Sequence, residues 1–371
     1  MLGRLKFDLT ELANEMLDNI PEESFSSSTT TFLDPAMAGG QFVKAVVDRL
    51  RKYGHTDENI TSRVYGYESN KMRLNIAKAK TGNVGQFEKN NFAEDDIMFD
   101  FNNAEVVGNP PYNDGSSGRA PIYQKFLEKL VKGNPNSVVF IIPTNWFSQP
   151  HTKLGKDVRE YLTALGVYKI QMNPVNLFEG VTVSTCTVFC KKGYNKSVKL
   201  FNINNSSSFD LDNLHDQIVP EFDDVSRALI KNLKPANPYT THSGSKGDTS
   251  KYRIATSYMC YNILSERPLN ELKVLEPNFE KQSGYRVFAE FNTKEEADRA
   301  LVYYNSFWHS NIVQFILRRT RTSTTLDNPQ LIFVPEVSSF DKIFTDAELY
   351  NMFSLTAEEI KKVEDDASKY N

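Results

Sequence analysis

FLDPAMAGGQFVKAVVDRLRKYG, residues 32–54, passes from an apolar tetrapeptide through two adjacent glycines into a run that sets Phe42, Val46, Val47 and Leu50 at helical spacing. An apolar extended segment, a glycine turn and an amphipathic helix in that order form the strand–loop–helix unit of α/β proteins. The unit repeats at about thirty residues, the length of a βαβ element. RVYGYES (63–69) reads as a second strand, NKMRLNIAKAK (70–80) as its helix, and Val84–Phe87 as a weaker third strand. Upstream, Leu9–Ile20 carries Leu12, Ala13, Met16 and Leu17 on one helical face, ahead of the polar tract Ser26–Thr31.

Downstream, AEVVGNPPYND (104–114) is a strand ending in a proline-rich loop, PIYQKFLEKLVKG (121–133) a helix and SVVFIIPTNWF (137–147) a buried strand. VREYLTALG (158–166) follows as a helix, VYKIQMNP (167–174) as a strand, and VTVSTCTVFCKKG (181–193) as a β-branched strand. Alternation of this kind predicts a doubly wound, Rossmann-like α/β sheet, whose ligands sit beyond the carboxyl ends of the strands. After Phe201 the texture changes, and INNSSSFDLDN (203–213) reads as a boundary between a domain at 1–204 and a mixed α+β domain at 205–371. In the second region the sequence predicts a helix near Val225–Asn232, a polar loop over 241–253, and a short exposed helix in SLTAEEIKKVEDDA (354–367), opened by Ser354 and Glu358.

With 371 residues, 40% hydrophobic and 24% charged, the chain has globular composition. The 43 Lys and Arg against 47 Asp and Glu give a net charge of −4, which excludes a polycation and confines any nucleic-acid surface to a local patch. Cys186, Cys190 and Cys260 fit neither a disulfide framework nor a four-ligand zinc site, so a reducing cytoplasm and no metal are expected. The first residues carry charge throughout and no run of 18 apolar residues occurs, so neither secretion nor membrane spanning is expected.

The chemistry-bearing stretch is Asn109-Pro110-Pro111-Tyr112, at the end of the strand holding Val106 and Val107. Two prolines stiffen the turn, so the Asn109 side-chain oxygen and the Pro110 carbonyl can converge as two acceptors on one NH2 group. Accepting both protons of a conjugated amine keeps its lone pair out of the ring and aims it at an electrophile, while Tyr112 offers a flat face to the ring.

DPAMAGGQF (34–42) followed by NPPY (109–112) resembles the S-adenosylmethionine-dependent amino-methyltransferases, especially the gamma-class N6-adenine DNA methyltransferases, over most of residues 9–192. The resemblance implies that Asp34, Pro35, Ala36, Gly39, Gly40 and Phe42 surround the methionine part of S-adenosylmethionine, that Glu68 binds its ribose hydroxyls, and that Asn91 and Phe92 hold its adenine. It also implies that Phe178 sandwiches the flipped target base with Tyr112, and it places Pro143 and Trp146 on the same rim, lining the pocket or plugging the sheet edge. Two departures stand out. Ala38 occupies a glycine position of the first motif, tolerable where no positive φ is needed, and no Thr-Pro opens the helix in Lys6–Glu11.

By the same resemblance the second region recognises double-stranded DNA, with Lys246, Lys251 and Arg253 in one basic loop and Arg318, Arg319 and Arg321 in another. A solvated basic loop is the alternative for each. Tyr303, Tyr304, Phe307 and Trp308 read as core. The expected protein is a monomeric cytoplasmic enzyme of a bacterial or phage-infected cell, with a cognate restriction endonuclease as a partner the resemblance allows. Other amine acceptors (protein glutamine, RNA, N4 of cytosine) and a catalytically dead DNA-binding scaffold are the alternatives. C5-cytosine chemistry needs a nucleophilic cysteine, normally after proline, and the three cysteines here follow Thr, Phe and Met.

Overall fold

The computed structural model describes residues 9–113, 121–148, 153–173, 177, 184–202, 207–211, 214, 248–257, 271–279, 285–320 and 343–368. They fall into two compact units, Met1–Trp146 with His151–Asp216, and Phe147–Pro150 with Gln217–Asn371.

In the first unit, α1 (Leu9–Leu17) and α2 (Glu22–Ser26) precede β1 (Thr31–Asp34), α3 (Gln41–Lys52), α4 (Asp57–Arg63), β2 (Val64–Tyr67), α5 (Lys71–Thr81) and β3 (Gln86–Glu88). Then come β4 (Ala104–Gly108), α6 (Tyr123–Gly133), β5 (Ser137–Pro143), α7 (Asn145–Ser148, whose last two residues count with the second unit), α8 (Lys153–Ala164), β6 (Val167–Met172), β7 (Thr185–Lys191), β8 (Val198–Asn202) and β9 (Ser207–Leu211). The nine strands form one sheet in the order β3-β2-β1-β4-β5-β7-β6-β8-β9. The first five are parallel, and β7 runs antiparallel between β5 and β6. This is the doubly wound α/β architecture, and the order reverses between β1 and β4, so the loops after these two strands flank the switch point where such sheets bind ligands.

β4 and β5 are buried along their whole length, as central parallel strands covered on both faces must be. Val107, Val139 and Ile141 join Val46, Val47 and Leu50 of α3 and Leu12, Met16 and Leu17 of α1 in one core. Each such fully buried side chain contributes about 1.5–3 kcal/mol, which holds α3 rigidly against the sheet behind its glycine turn. The sheet continues past the expected boundary: β9 lies inside the polar stretch 203–213 and pairs with β8.

The second unit contains the three-stranded antiparallel sheet β11 (Lys273–Leu275), β10 (Tyr252–Ser257) and β12 (Tyr285–Phe291). With it are α9 (Lys294–Trp308), α10 (Asn311–Thr320), α11 (Asp346–Met352) and α12 (Ala357–Ala367). Tyr303, Tyr304, Phe307 and Trp308 are core residues. The helix near Val225–Asn232 lies outside the described residues. α12 is capped by Thr356 with Glu359, not by Ser354 with Glu358, because Ser354 takes a positive φ of 54° just before it. Nor is it simply exposed, since Glu359, Val363, Asp366 and Ala367 are buried. Among the described residues no helix is long and apolar enough to cross a membrane.

Candidate active site

β1 delivers Asp34 to the switch point, where only 1% of it is exposed. Its Oδ1 accepts from the Ala36 N–H at 3.0 Å, and its Oδ2 has no partner. Burial, reinforced by the charge of Glu68, pushes this carboxyl up to about 8, although the Ala36 N–H opposes the shift. A Cβ on Gly108 would lie 2.7 Å from Asp34 Oδ1, so glycine at the end of β4 is what lets the two strand ends meet.

The turn from β1 to α3 is tied by Met37 N–H to the Tyr67 carbonyl and Gly40 N–H to the Met37 carbonyl. Gly40 has φ +79°, and a Cβ there would stand 2.7 Å from Ala77 Cβ on α5, so it is required both by backbone and by packing. Gly39 has no such need, its nearest neighbours being 3.8 Å or more from a Cβ. The tolerance expected of Ala38 fails: it has φ +46°, the left-handed region that costs an L residue about 1–2 kcal/mol. Phe42 is a core residue of α3 and does not line the cleft.

A cleft of about 220 Å³ opens here, lined by Pro35, Ala36 and Ala38 after β1, Glu68 after β2, Asn90 to Phe92 after β3, and Asn109 and Pro111 after β4. Glu68 Oε1 accepts from the Asn70 N–H at 2.7 Å and Ser69 Oγ at 3.4 Å; no described residue donates to Oε2. Phe92 is buried and stacks on Phe126 at 5.2 Å between centroids, forming an apolar wall. Asn91 is turned onto its own loop, its Oδ1 accepting from Ala93 N–H at 3.3 Å and its N–H donating to Asp95 Oδ2 at 2.7 Å. The neighbouring Asn90 instead presents a buried Oδ1 with no partner. Both asparagines line the cleft, and the sequence gives no sign of which one keeps an unpartnered oxygen. Tyr67, Ser69, Arg73 and Phe126 also line it and were missed. Of these only Phe126 carried a signal, its place on the inward face of α6.

Asn109 Oδ1 is likewise buried without a partner. Pro110 is buried and Pro111 exposed. Tyr112 is half-buried, and burial drives its phenol above its ordinary value, opposed by the Asn109 side chain, which lies close enough to interact with it although the pair falls outside strict hydrogen-bond geometry. Its carbonyl accepts from the Ile122 N–H at 3.2 Å, and Asn113 bridges to Pro121, so the far arm of the loop is anchored at the start of α6. Trp146 plugs rather than lines: it is fully buried beneath the Arg159 guanidinium, 5.3 Å from its ring centre. Pro143 is buried in β5 opposite Thr185. Phe178 lies outside the described residues.

Cys186 and Cys190 are buried free thiols, pushed up by burial and unsuited to nucleophilic attack. Among the described residues no group of three or more His, Cys, Asp or Glu could hold a metal ion. In the second unit, Arg253 is fully buried in β10 and donates to the Glu276 carbonyl at 3.3 Å. It is therefore a buried arginine, not the groove contact expected of it. Lys251 is half-buried at the start of that strand. Arg318 and Arg319 fall in the last turn of α10, though their side chains, like Lys246 and Arg321, lie outside the described residues.

No protein-family model matches the chain, and no curated protein matches it in sequence. Among solved structures it resembles a type I restriction-modification methyltransferase subunit from Streptococcus thermophilus, with 15% identity over 55% of this chain and 48% of that one, at a TM-score of 0.41. The type IIG restriction endonuclease BpuSI matches at 13% identity over 82% of this chain and 46% of that one, TM-score 0.46. A Pyrococcus abyssi tRNA (uracil-54, C5)-methyltransferase in complex with S-adenosyl-L-homocysteine matches at 16% over 49% and 38%, TM-score 0.32. The chain spans less than half the length of each.

Proposed function

We propose that the chain is an S-adenosylmethionine-dependent DNA methyltransferase acting on the exocyclic N6 of adenine. The observation that carries this reading is Asn109: a buried side-chain acceptor with no well-formed hydrogen bond, its side chain lying close to the Tyr112 phenol of the same loop, at the switch-point end of β4 on a turn stiffened by two prolines. A buried acceptor left open costs about 1–3 kcal/mol, which a donor from a ligand would recover. Two such oxygens, on Asn90 and Asn109, stand at this end of the sheet, with the unpartnered Oδ2 of the protonated Asp34 carboxyl beside them.

The residues fit the cofactor. The Pro35–Gly40 turn would hold its methionine part, the open Glu68 oxygen its ribose hydroxyls, Asn90 the edge of its adenine and Phe92 the adenine face. Bound there, S-adenosylmethionine would supply an electrophilic methyl group. Asn109 Oδ1 and the Pro110 carbonyl would then accept both protons of the target amine and aim its lone pair, and Tyr112 would stack on the base. Extracting adenine from the duplex costs a few kcal/mol, of which stacking on Tyr112 would offset roughly 1–3 kcal/mol. The second unit is proposed to recognise the DNA site.

The test is nucleoside mass spectrometry of unmethylated duplex DNA after incubation with the full chain and S-adenosylmethionine, beside Asn109→Ala and parallel RNA and protein substrates. N6-methyladenine that disappears with Asn109→Ala is the expected result. Methylation of RNA or glutamine alone would move the acceptor, and no methylation anywhere would overturn the reading.

A further inference from the structure

α5 is an unusual surface helix. Leu74, Ala77 and Thr81 form its buried stripe. At 100° per residue, the opposite pole is made by Met72, Asn75, Ile76 and Ala79, all exposed, Met72 by 69% and Ile76 by 46%. A solvated amphipathic helix puts its charges on that pole. Here they stand on the two flanks, Lys71 and Lys78 on one side, Arg73 and Lys80 on the other, and the helix holds no acidic residue.

Among the described residues none of these four cations is in an ion pair; the Lys80 ammonium donates to Gln41 Oε1 at 2.8 Å. Asn70, two residues after Glu68 at the cleft, caps the helix, its Oδ1 accepting from the Met72 and Arg73 N–H groups. Arg73 itself lines the cleft.

A pole without charge, bordered on both sides by cations, matches one partner in shape and charge. A helix with its side chains is about 10–12 Å across, and the major groove of duplex DNA is about 12 Å wide and bordered by two phosphate backbones. Cations on both flanks can reach both backbones. On the ridge, Asn75 carries the carboxamide that pairs in two-point fashion with an adenine edge, and Met72, Ile76 and Ala79 offer apolar contacts for thymine methyl groups.

We propose that α5 is a DNA-reading helix on the catalytic unit, lying in the major groove beside the target base, with Asn75 reading a base pair and Lys71 and Lys78 gripping one backbone. This rests on the reading of duplex DNA as substrate, and it puts part of the recognition outside the second unit.

The experiment measures binding of the full chain to a labelled duplex by fluorescence anisotropy across salt concentrations, for the wild type and Lys71→Ala/Lys78→Ala. Sites methylated by the wild type and by Asn75→Ala are mapped in parallel. Loss of two phosphate contacts should lower the slope of log K against log salt by about 2, with S-adenosylmethionine binding by calorimetry unchanged as the check on folding. Asn75→Ala should relax the mapped site at one base pair. A wild type that methylates DNA while the double variant keeps the full salt slope and Asn75→Ala keeps the same site would overturn the α5 assignment and leave the activity standing. Failure of the wild type to bind duplex would overturn both. Tighter binding to a poly-glutamate peptide than to the duplex, lost in the double variant, would assign the face to an acidic protein and overturn the proposal.

Discussion

The two ends of β4 treat buried polar groups in opposite ways. At the amino end, Glu105 of β4 is 2% exposed, and both its oxygens are satisfied, Oε1 by Ser24 Oγ at 2.7 Å and Oε2 by Ser137 Oγ. At the carboxyl end, Asp34, Asn90 and Asn109 each keep a buried oxygen with no well-formed hydrogen bond. The larger of the two cavities is at the amino end, about 840 Å³ against about 220 Å³, yet among the described residues no unpartnered buried side-chain atom lines it. Unmet hydrogen-bonding capacity, not volume, is what sets the smaller cleft apart from the larger one, because native interiors leave few such groups open.

That contrast is broken or sharpened by substitution at each end. Asn109→Ala should lower the methyl-transfer rate by at least about 100-fold, the scale for losing one preorganised polar contact to the reacting group, with little change in thermal melting. Glu105→Ala should do the reverse: it strands two buried hydroxyls and costs about 2–4 kcal/mol in chemical denaturation, while the rate per folded molecule stays at wild-type level. Equal effects of both variants on rate would erase the distinction.

Within the β1–α3 turn a second pair refines the comparison. Gly40→Ala combines a left-handed backbone with contact against Ala77 and should destabilise the chain by about 2–4 kcal/mol. Ala38→Gly relieves left-handed strain at a small entropic cost and should stabilise it by about 0.5–1 kcal/mol. Both are read from denaturant midpoints.

The smallest effect is on pH dependence. Asp34 holds its proton up to about pH 8 in the folded chain, against an ordinary value of 3.8. Between those limits the folded state binds a proton that the unfolded state has released, so this group makes stability fall as pH rises from about 4 to 8, with no further change above. Melting temperatures of Asp34→Asn should therefore fall less steeply than those of the wild type across that window.

Much of this corner is legible in the sequence because glycine and proline dictate backbone: the turn at Gly40 and the loop at Pro110-Pro111 stand where the pattern puts them. What is not legible depends on side-chain direction and tertiary burial. Nothing in the sequence marks Ala38 as left-handed, or says that of the two cleft-lining asparagines Asn91 bonds its own loop while the Asn90 Oδ1 is left without a partner. Arg253 looks like a surface charge among Gly, Ser and Lys, but it lies in a strand buried on both faces, with Ile254, Ala255 and Thr256 buried after it. β9 is hidden because its Ser-rich stretch has the composition of a linker.

The most direct test of the central claim is a calorimetric titration of S-adenosylmethionine into the full chain, with Glu68→Ala and Asn90→Ala in parallel. Saturable binding at one molecule per chain, weakened by either substitution without loss of folding, is the result this account predicts. A folded wild-type chain that takes up no S-adenosylmethionine, or binds it equally well in both variants, would contradict it.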